Sequence, residues 1–173
     1  MTEIHTLIDS PVGELLLTGD GEALSRLAFV QSRRPEVAAA LRGSGVDDGF
    51  PAVRAQLEEY FAGRRRDFEL PLALHGSEFE LRVWDALRRI PYGATTSYGA
   101  VARSIGHPDG ARAVGLANGR NPIAVIVPCH RVIGADGSLT GYGGGLHRKR
   151  FLLDLEAGRT SLLGAPAASL AAG

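Results

Sequence analysis

The sequence predicts an α/β chain in two parts: an N-terminal half with a small antiparallel sheet and one main helix, then a winged helix-turn-helix. Three observations carry this reading. Short β-prone runs crowd the first 30 residues, apolar side chains recur at helical spacing beyond Val53, and the charge changes sign midway. Residues 1–75 hold 8 basic and 12 acidic side chains, whereas residues 76–173 hold 11 and 7.

The elements follow in order. Ile4 to Ile8, Leu15 to Thr18 and Leu24 to Val30 are separated by SPVG and GDGE, which are hairpin signals. Ser32 to Phe50 is rich in Gly, Asp and Arg and predicts a partly helical connection. Val53, Leu57, Tyr60 and Phe61 then share a helical face, and Gly63 closes that run. Ser77 with Glu80 forms a capping box opening a helix whose stripe is Phe79, Val83, Leu87 and Ile90; Pro91 and Gly93 end it. A second helix is expected from Tyr98 to Ile105. A third runs from Ala111 to Asn118, capped by Asp109 and closed by Gly119. Two short helices joined by a glycine turn, the second carrying Arg112, match a helix-turn-helix. Gly115 inside that helix costs about 1 kcal/mol against alanine, which makes sense where a backbone must approach something closely. The five apolar residues Ile123 to Val127 predict a buried strand leading into Pro128-Cys129-His130-Arg131-Val132. VIGADGSL predicts a wing hairpin turning at Ala135-Asp136-Gly137. TGYGGG is too glycine-rich for regular structure, and a last helix from Leu146 to Leu155 buries Leu146, Phe151, Leu152 and Leu155 before ending at Glu156. The expected division is residues 1–75, residues 76–157 and a mobile Ala/Gly/Ser-rich tail at 158–173.

Composition removes several classes of function. A chain of 173 residues buries roughly 70% of its unfolded surface and needs no covalent staple. A single cysteine forms no internal disulfide and no multi-thiolate zinc site, and five scattered histidines without HExxH suggest no metal. No phosphate-cradling loop or dinucleotide fingerprint is present, so no cofactor is expected. MTEIHTLIDS is neither basic nor apolar and no run approaches 18 apolar residues, which points to a cytoplasmic chain without membrane attachment. Residues 81–150 carry ten basic against three acidic side chains, as expected of a chain that meets a polyanion.

Cys129 stands out because Pro128 fixes its approach and His130 and Arg131 follow it, two groups able to favour a thiolate. Here the chain resembles the O6-alkylguanine-DNA alkyltransferases. PCHRV at 128–132 is that family's signature, and RVWDALRRIPYG, TTSYGAVA, ARAVGLANGRNP, LTGYGGG and LLDLE extend the likeness over most of residues 77–157. The first 75 residues agree in architecture more than in motif, and the resemblance implies for them a ribonuclease-H-like fold. It implies a monomeric DNA repair protein that binds double-stranded DNA, flips out an alkylated base and moves the alkyl group of O6-alkylguanine, and of O4-alkylthymine, irreversibly onto Cys129. Carried over by residue, His130 would act as base through a water and Glu156 would orient it. Tyr98 would donate to the guanine ring, and Arg112 would fill the gap in the stack. Gly115 and Asn118 would lie on the DNA-facing helix, and Asn121 would be the hinge into the active-site segment. Tyr142, Gly143, Gly144 and Ala124 would border the pocket, with Lys149 near the flipped guanine. Ala124 departs from the proline of some members, which predicts a roomier pocket.

Two other readings fit parts of this pattern. A winged-helix module that binds DNA or lesions without transferase activity would make Cys129 structural. A cysteine hydrolase using Cys129, His130 and Glu156 would turn over many times, but such enzymes bring their Cys and His from distant positions.

Overall fold

The computed structural model describes residues 3–32 and 34–159. Of the tail expected to be mobile, Gly158 and Arg159 are described, Arg159 being paired with Asp154 at 2.9 Å; residues 160–173 lie outside the described residues.

Four strands form the N-terminal sheet: β1 (Ile4–Ile8), β2 (Leu15–Gly19), β3 (Leu24–Phe29) and β4 (Ser44–Gly45), in the order β3-β2-β1-β4. The two hairpins are antiparallel, with Ile8 opposite Leu15 and Leu15 opposite Phe29, while β4 runs parallel to β1. Every residue of β2 is buried, as a central strand covered on both faces requires. The connection predicted to be partly helical contains α1 (Pro35–Leu41), and α2 (Pro51–Phe61) buries Val53, Leu57 and Tyr60.

In the C-terminal half, α3 (Glu78–Arg88) opens with the expected capping box, Ser77 accepting from the Glu80 amide and Glu80 from the Ser77 amide. It packs with α4 (Tyr98–Ser104) and α5 (Ala111–Gly119), and the Trp84 indole donates to the Ala117 carbonyl at 2.9 Å. α6 (Leu146–Glu156) buries Phe151, Leu152 and Leu155.

Four expectations are corrected. Asp109 does not cap α5; the helix begins at Ala111 as expected, but its N-cap is Gly110 and no side chain caps it. Leu146 is 47% exposed, because it occupies the first turn of α6, ahead of the face that meets the core. Ile123 to Val127 is buried but is not a strand. After a single bridge from Ile123 to Leu27 the chain winds on itself, the Ile126 amide bonding Ala124 and the Val127 amide bonding Ile123. Its polar groups are satisfied inside the turn, which removes the need for a second neighbouring strand. The wing keeps its turn, with Gly137 at φ +86° and the Gly134 amide bonded to the Ser138 carbonyl, but has no returning strand. Instead β6 (Val132–Ile133) pairs in parallel with β5 (Thr96–Ser97), and the Thr140 carbonyl is taken by the Lys149 ammonium.

A backbone seam is among the contacts that join the halves. The free edge of β3 is closed by the Leu27 amide donating to Pro122 at 2.9 Å and the Ala124 amide donating to Leu27 at 3.0 Å. Farther along, the Leu24 amide donates to Pro71 and the Ala73 amide to Leu24. An edge strand is thus protected by the segment that leads to the cysteine.

Candidate active site

Cys129 begins a short 3-10 turn, Cys129–Arg131, entered through two tight backbone turns. Val125 sits at φ +72°, an uncommon region for a β-branched residue that costs about 1–3 kcal/mol. Pro128, at φ −83° and ψ 64°, is the centre of an inverse γ-turn closed by the Cys129 amide and Val127 carbonyl at 2.8 Å. Asn121 staples this segment: its amide donates to Val127 at 2.8 Å and its oxygen accepts from the Ile123 amide at 3.0 Å. That geometry delivers the sulfur to the floor of a cleft while its own residue is only 6% exposed.

The cleft has three walls. Asn118, Gly119, Asn121 and Ala124 come from the end of α5 and the turn after it, Gly141 to Gly144 from the glycine-rich loop, and Arg26 to Phe29 with Ser32 and Arg34 from the N-terminal half. Gly144 must be glycine, since a Cβ there would stand 2.6 Å from the Phe29 ring. Arg34 spans the rim, donating to the Gly119 carbonyl at 2.9 Å and lying against Gly143. Three lining residues, Ser32, Asn118 and Tyr142, each carry a buried polar atom without a protein partner, a lining suited to a ligand with hydrogen-bonding edges.

Behind the cysteine lies a buried polar cluster. His130 is fully buried, and its Nε2 is 2.8 Å from Glu156 Oε2. A carboxylate only accepts, so Nε2 carries the proton and Nδ1, which has no protein partner, presents a lone pair in the neutral ring. Burial pushes the His130 pKa down against the pull of Glu156, which keeps the ring a free base. Burial alone would raise the Glu156 carboxyl, but hydrogen bonds from His130 and Arg131 outweigh it and hold the group well below the usual carboxylate range. Arg131 gives Glu156 two bonds, at 2.8 and 3.0 Å, and donates to the Ile90 carbonyl.

These contacts correct the expected thiolate. Burial pushes the Cys129 thiol above its ordinary pKa; the groups that oppose this are first the Asn121 amide and then the Lys149 ammonium. Arg131 is committed to Glu156 and His130 stays neutral, so neither supplies charge to the sulfur. The resting thiol is protonated and needs a base.

The remaining candidates occupy distinct positions. Lys149 is fully buried, its ammonium donating to Val132 at 2.6 Å and to Thr140 at 2.8 Å, so it ties the glycine loop to β6. The Tyr98 hydroxyl pairs with Thr140 Oγ1 at 2.7 Å. Arg112 is exposed in the first turn of α5. A Cβ on Gly115 would meet only the Tyr98 ring at 3.8 Å, an ordinary contact, so no protein neighbour demands glycine there. Among the described residues, no group of three or more His, Cys, Asp or Glu could hold a metal ion. Sequence reasoning missed the whole N-terminal wall of the cleft, and it missed Tyr60, whose hydroxyl donates to Glu156 Oε2 at 2.6 Å. A tyrosine on an otherwise apolar helical face was the available signal, since a buried phenol needs a partner.

Ala124 offers a test of pocket size. Proline there would delete the amide that bonds Leu27, so Ala124→Val is the cleaner probe. For the alkyl transfer that the resemblance implies, it should lower reactivity toward bulky alkyl groups, relative to methyl, by about 10-fold, the scale of one or two methylenes in an apolar pocket; single-turnover competition between the two substrates measures the ratio.

A model described as the DNA binding domain of 6-O-methylguanine DNA methyltransferase matches residues 78–158, and one described as the ribonuclease-like domain of the same protein matches residues 4–74. The methylated-DNA–protein-cysteine methyltransferase of Mycobacterium tuberculosis (strain ATCC 25618 / H37Rv) is 54% identical over 156 residues, 90% of this chain and 93% of that protein. That of Methanosarcina acetivorans is 49% identical over 152 residues, covering 88% and 97%. The crystal structure of Mycobacterium tuberculosis OGT in complex with DNA superposes with a TM-score of 0.86 at 48% identity, covering 96% of this chain and 98% of that one.

Proposed function

From the premise that the chain belongs to the 6-O-methylguanine DNA methyltransferase family, we infer that it repairs DNA by moving the alkyl group of O6-alkylguanine onto its own Cys129. One observation carries this assignment to a residue: the buried Cys129 thiol lies at the floor of the cleft, next in sequence to a buried histidine with one nitrogen fixed and the other without a protein partner.

α5 enters the duplex, and Arg112 occupies the gap left by the extruded nucleotide. Gly115 on the same helix leaves its backbone uncovered for close approach to DNA. The flipped base enters the cleft against Asn118, Ala124, Tyr142, Gly143 and Gly144, while Asn121 holds the turn that presents the sulfur and Lys149 holds the loop. His130 takes the thiol proton through a water, with Glu156 fixing its ring. The sulfur then attacks the alkyl carbon, a C–S bond forms, and the bond from carbon to O6 breaks with its electrons leaving on the guanine. Tyr98 donates a proton to the departing ring. O4-alkylthymine presents the same alkyl–oxygen bond and falls in the same substrate class. A thioether leaves no charge or labile proton to drive its reversal, so each molecule acts once.

The division into residues 1–75 and 76–157 belongs to this proposal, supported by family matches that end at 74 and resume at 78. No helix among the described residues is long and apolar enough to cross a membrane. Action in the cytoplasm, read from composition, and as a monomer, read from the family resemblance, completes the reading.

Intact-mass spectrometry after incubation with duplex DNA carrying O6-methylguanine tests the assignment. A gain of about 14 Da, one methylene, located on Cys129 is the expected result; an unmodified chain beside excess lesion would refute it. Arg112→Ala should slow transfer from duplex at least 10-fold more than transfer from a free modified base, since only the duplex needs a filler. Equal losses on both substrates would remove that role.

A further inference from the structure

We propose that Tyr60, on α2 of the N-terminal half, is a positioning residue of the transfer site: its hydroxyl draws charge from the Glu156 oxygen that holds His130, keeping the imidazole a free base. The proposal rests on the reading of Cys129 and His130 as acceptor and base.

The geometry is specific. Tyr60 is fully buried and lies 96 positions from its partner, to which it donates at 2.6 Å. Its ring packs against Phe61, Phe68 and Tyr92, surroundings in which phenylalanine would serve equally well. The hydroxyl is therefore accounted for only by Glu156. That carboxylate is saturated. Oε2 receives Tyr60, His130 at 2.8 Å and Arg131 at 3.0 Å, and Oε1 receives Arg131 at 2.8 Å and the Gly93 amide at 3.3 Å. A carboxylate offers about four acceptor sites, so the donors on Oε2 compete for its charge. Withdrawing Tyr60 leaves more of that charge for His130, which favours the imidazolium and removes the lone pair that must accept the thiol proton.

The other groups facing the cluster are accounted for. Arg131 and Lys149 oppose protonation of His130 and Glu156 favours it. Tyr92 lies beside Glu156 with Arg66 over its ring at 5.4 Å and Arg131 at 5.8 Å, and Cys129 faces Lys149 and Tyr142. Burial and the neighbouring carboxylate hold the Tyr60 phenol well above its ordinary pKa, so it remains a donor throughout the working range.

The experiment uses the full chain, isotopically labelled at histidine. The His130 ring signals are titrated in the parent and in Tyr60→Phe, alongside the pH dependence of single-turnover methyl transfer from duplex DNA. The expected result is an upward displacement of the His130 midpoint and of the acid limb by about half a pH unit or more, with rates converging at alkaline pH. Replacement of Tyr60 by 3-fluorotyrosine, a stronger donor of nearly the same shape, should displace both downward, and it decides the matter alone if Tyr60→Phe does not fold. Unmoved midpoints, with or without a uniform loss of rate, would show that Tyr60 merely packs and would overturn the proposal. A parent chain that does not transfer methyl would refute the assigned function instead, and the ring titration would still read the coupling.

Discussion

Cys129→Ser is expected to abolish alkyl transfer while leaving affinity for duplex DNA within a few-fold of the parent. Burial already holds the thiol above its ordinary value of 9.0, so on the proposed reading its deprotonation falls to His130. An alcohol holds its proton far more tightly than a thiol and is the weaker nucleophile at a saturated carbon, so the expected rate falls by at least about 10⁴-fold, below detection in a labelled-alkyl assay. Affinity comes from elsewhere. Phosphate contacts dominate binding, and the exposed arginines of the C-terminal half are untouched by the substitution. Fluorescence anisotropy on a lesion-bearing duplex measures this side of the prediction. Loss of binding together with loss of transfer would mean that Cys129 supports the DNA-facing surface rather than the chemistry.

Glu156→Gln carries the second large effect, this time on stability and rate together. The side chain is 1% exposed and accepts from Tyr60, His130, Arg131 and the Gly93 amide. A glutamine brings donors where only acceptors fit and leaves the Arg131 guanidinium without its counter-charge. Breaking a buried pair in this way costs about 3–5 kcal/mol, which for a chain of this size lowers Tm by roughly 10 °C. Transfer should slow in parallel, because an amide carries one acceptor oxygen and no charge and so holds the His130 tautomer less firmly than the carboxylate.

The pH dependence has a definite sign. Glu156 has a depressed folded pKa, so its contribution is complete above its ordinary value of 4.5 and is lost as pH falls through the folded value. His130 acts in the same direction. Its unfolded ring takes up a proton near 6.5 while the buried ring resists, so stability falls as pH drops below that point. Thermal denaturation should therefore separate parent and Glu156→Gln most widely near neutrality, with the gap narrowing below pH 4.5. A gap that widens on acidification would contradict this account of the cluster.

Much of the fold could be read in the chain because its signals are local. The capping box at Ser77 and Glu80, the apolar spacing of α2 and the turn residues of the hairpins act within a few positions of themselves. What escaped depends on distant partners. The apolar run at Ile123 to Val127 has no periodicity to separate strand from turn, and only its docking on Leu27 and the left-handed Val125 decide the matter. Lys149 looks like surface charge until the carbonyls of Val132 and Thr140 surround it. In the site, PCHRV announced its cysteine because the motif is contiguous. Ser32 and Arg34 reach the cleft, and Tyr60 the cluster behind it, from the other half, and none left such a mark.

The pairing of Leu27 with Ile123 also sets an order of events during folding. Closing so long a loop is entropically unfavourable and comes after local helices and hairpins have formed. Until it closes, the sulfur lacks its N-terminal wall and the Arg34 rim, and the carboxylate behind it lacks the Tyr60 hydroxyl. A nascent or partly unfolded chain therefore exposes an ordinary cysteine, and the single-use reagent is armed only when Leu27 and Ile123 have met.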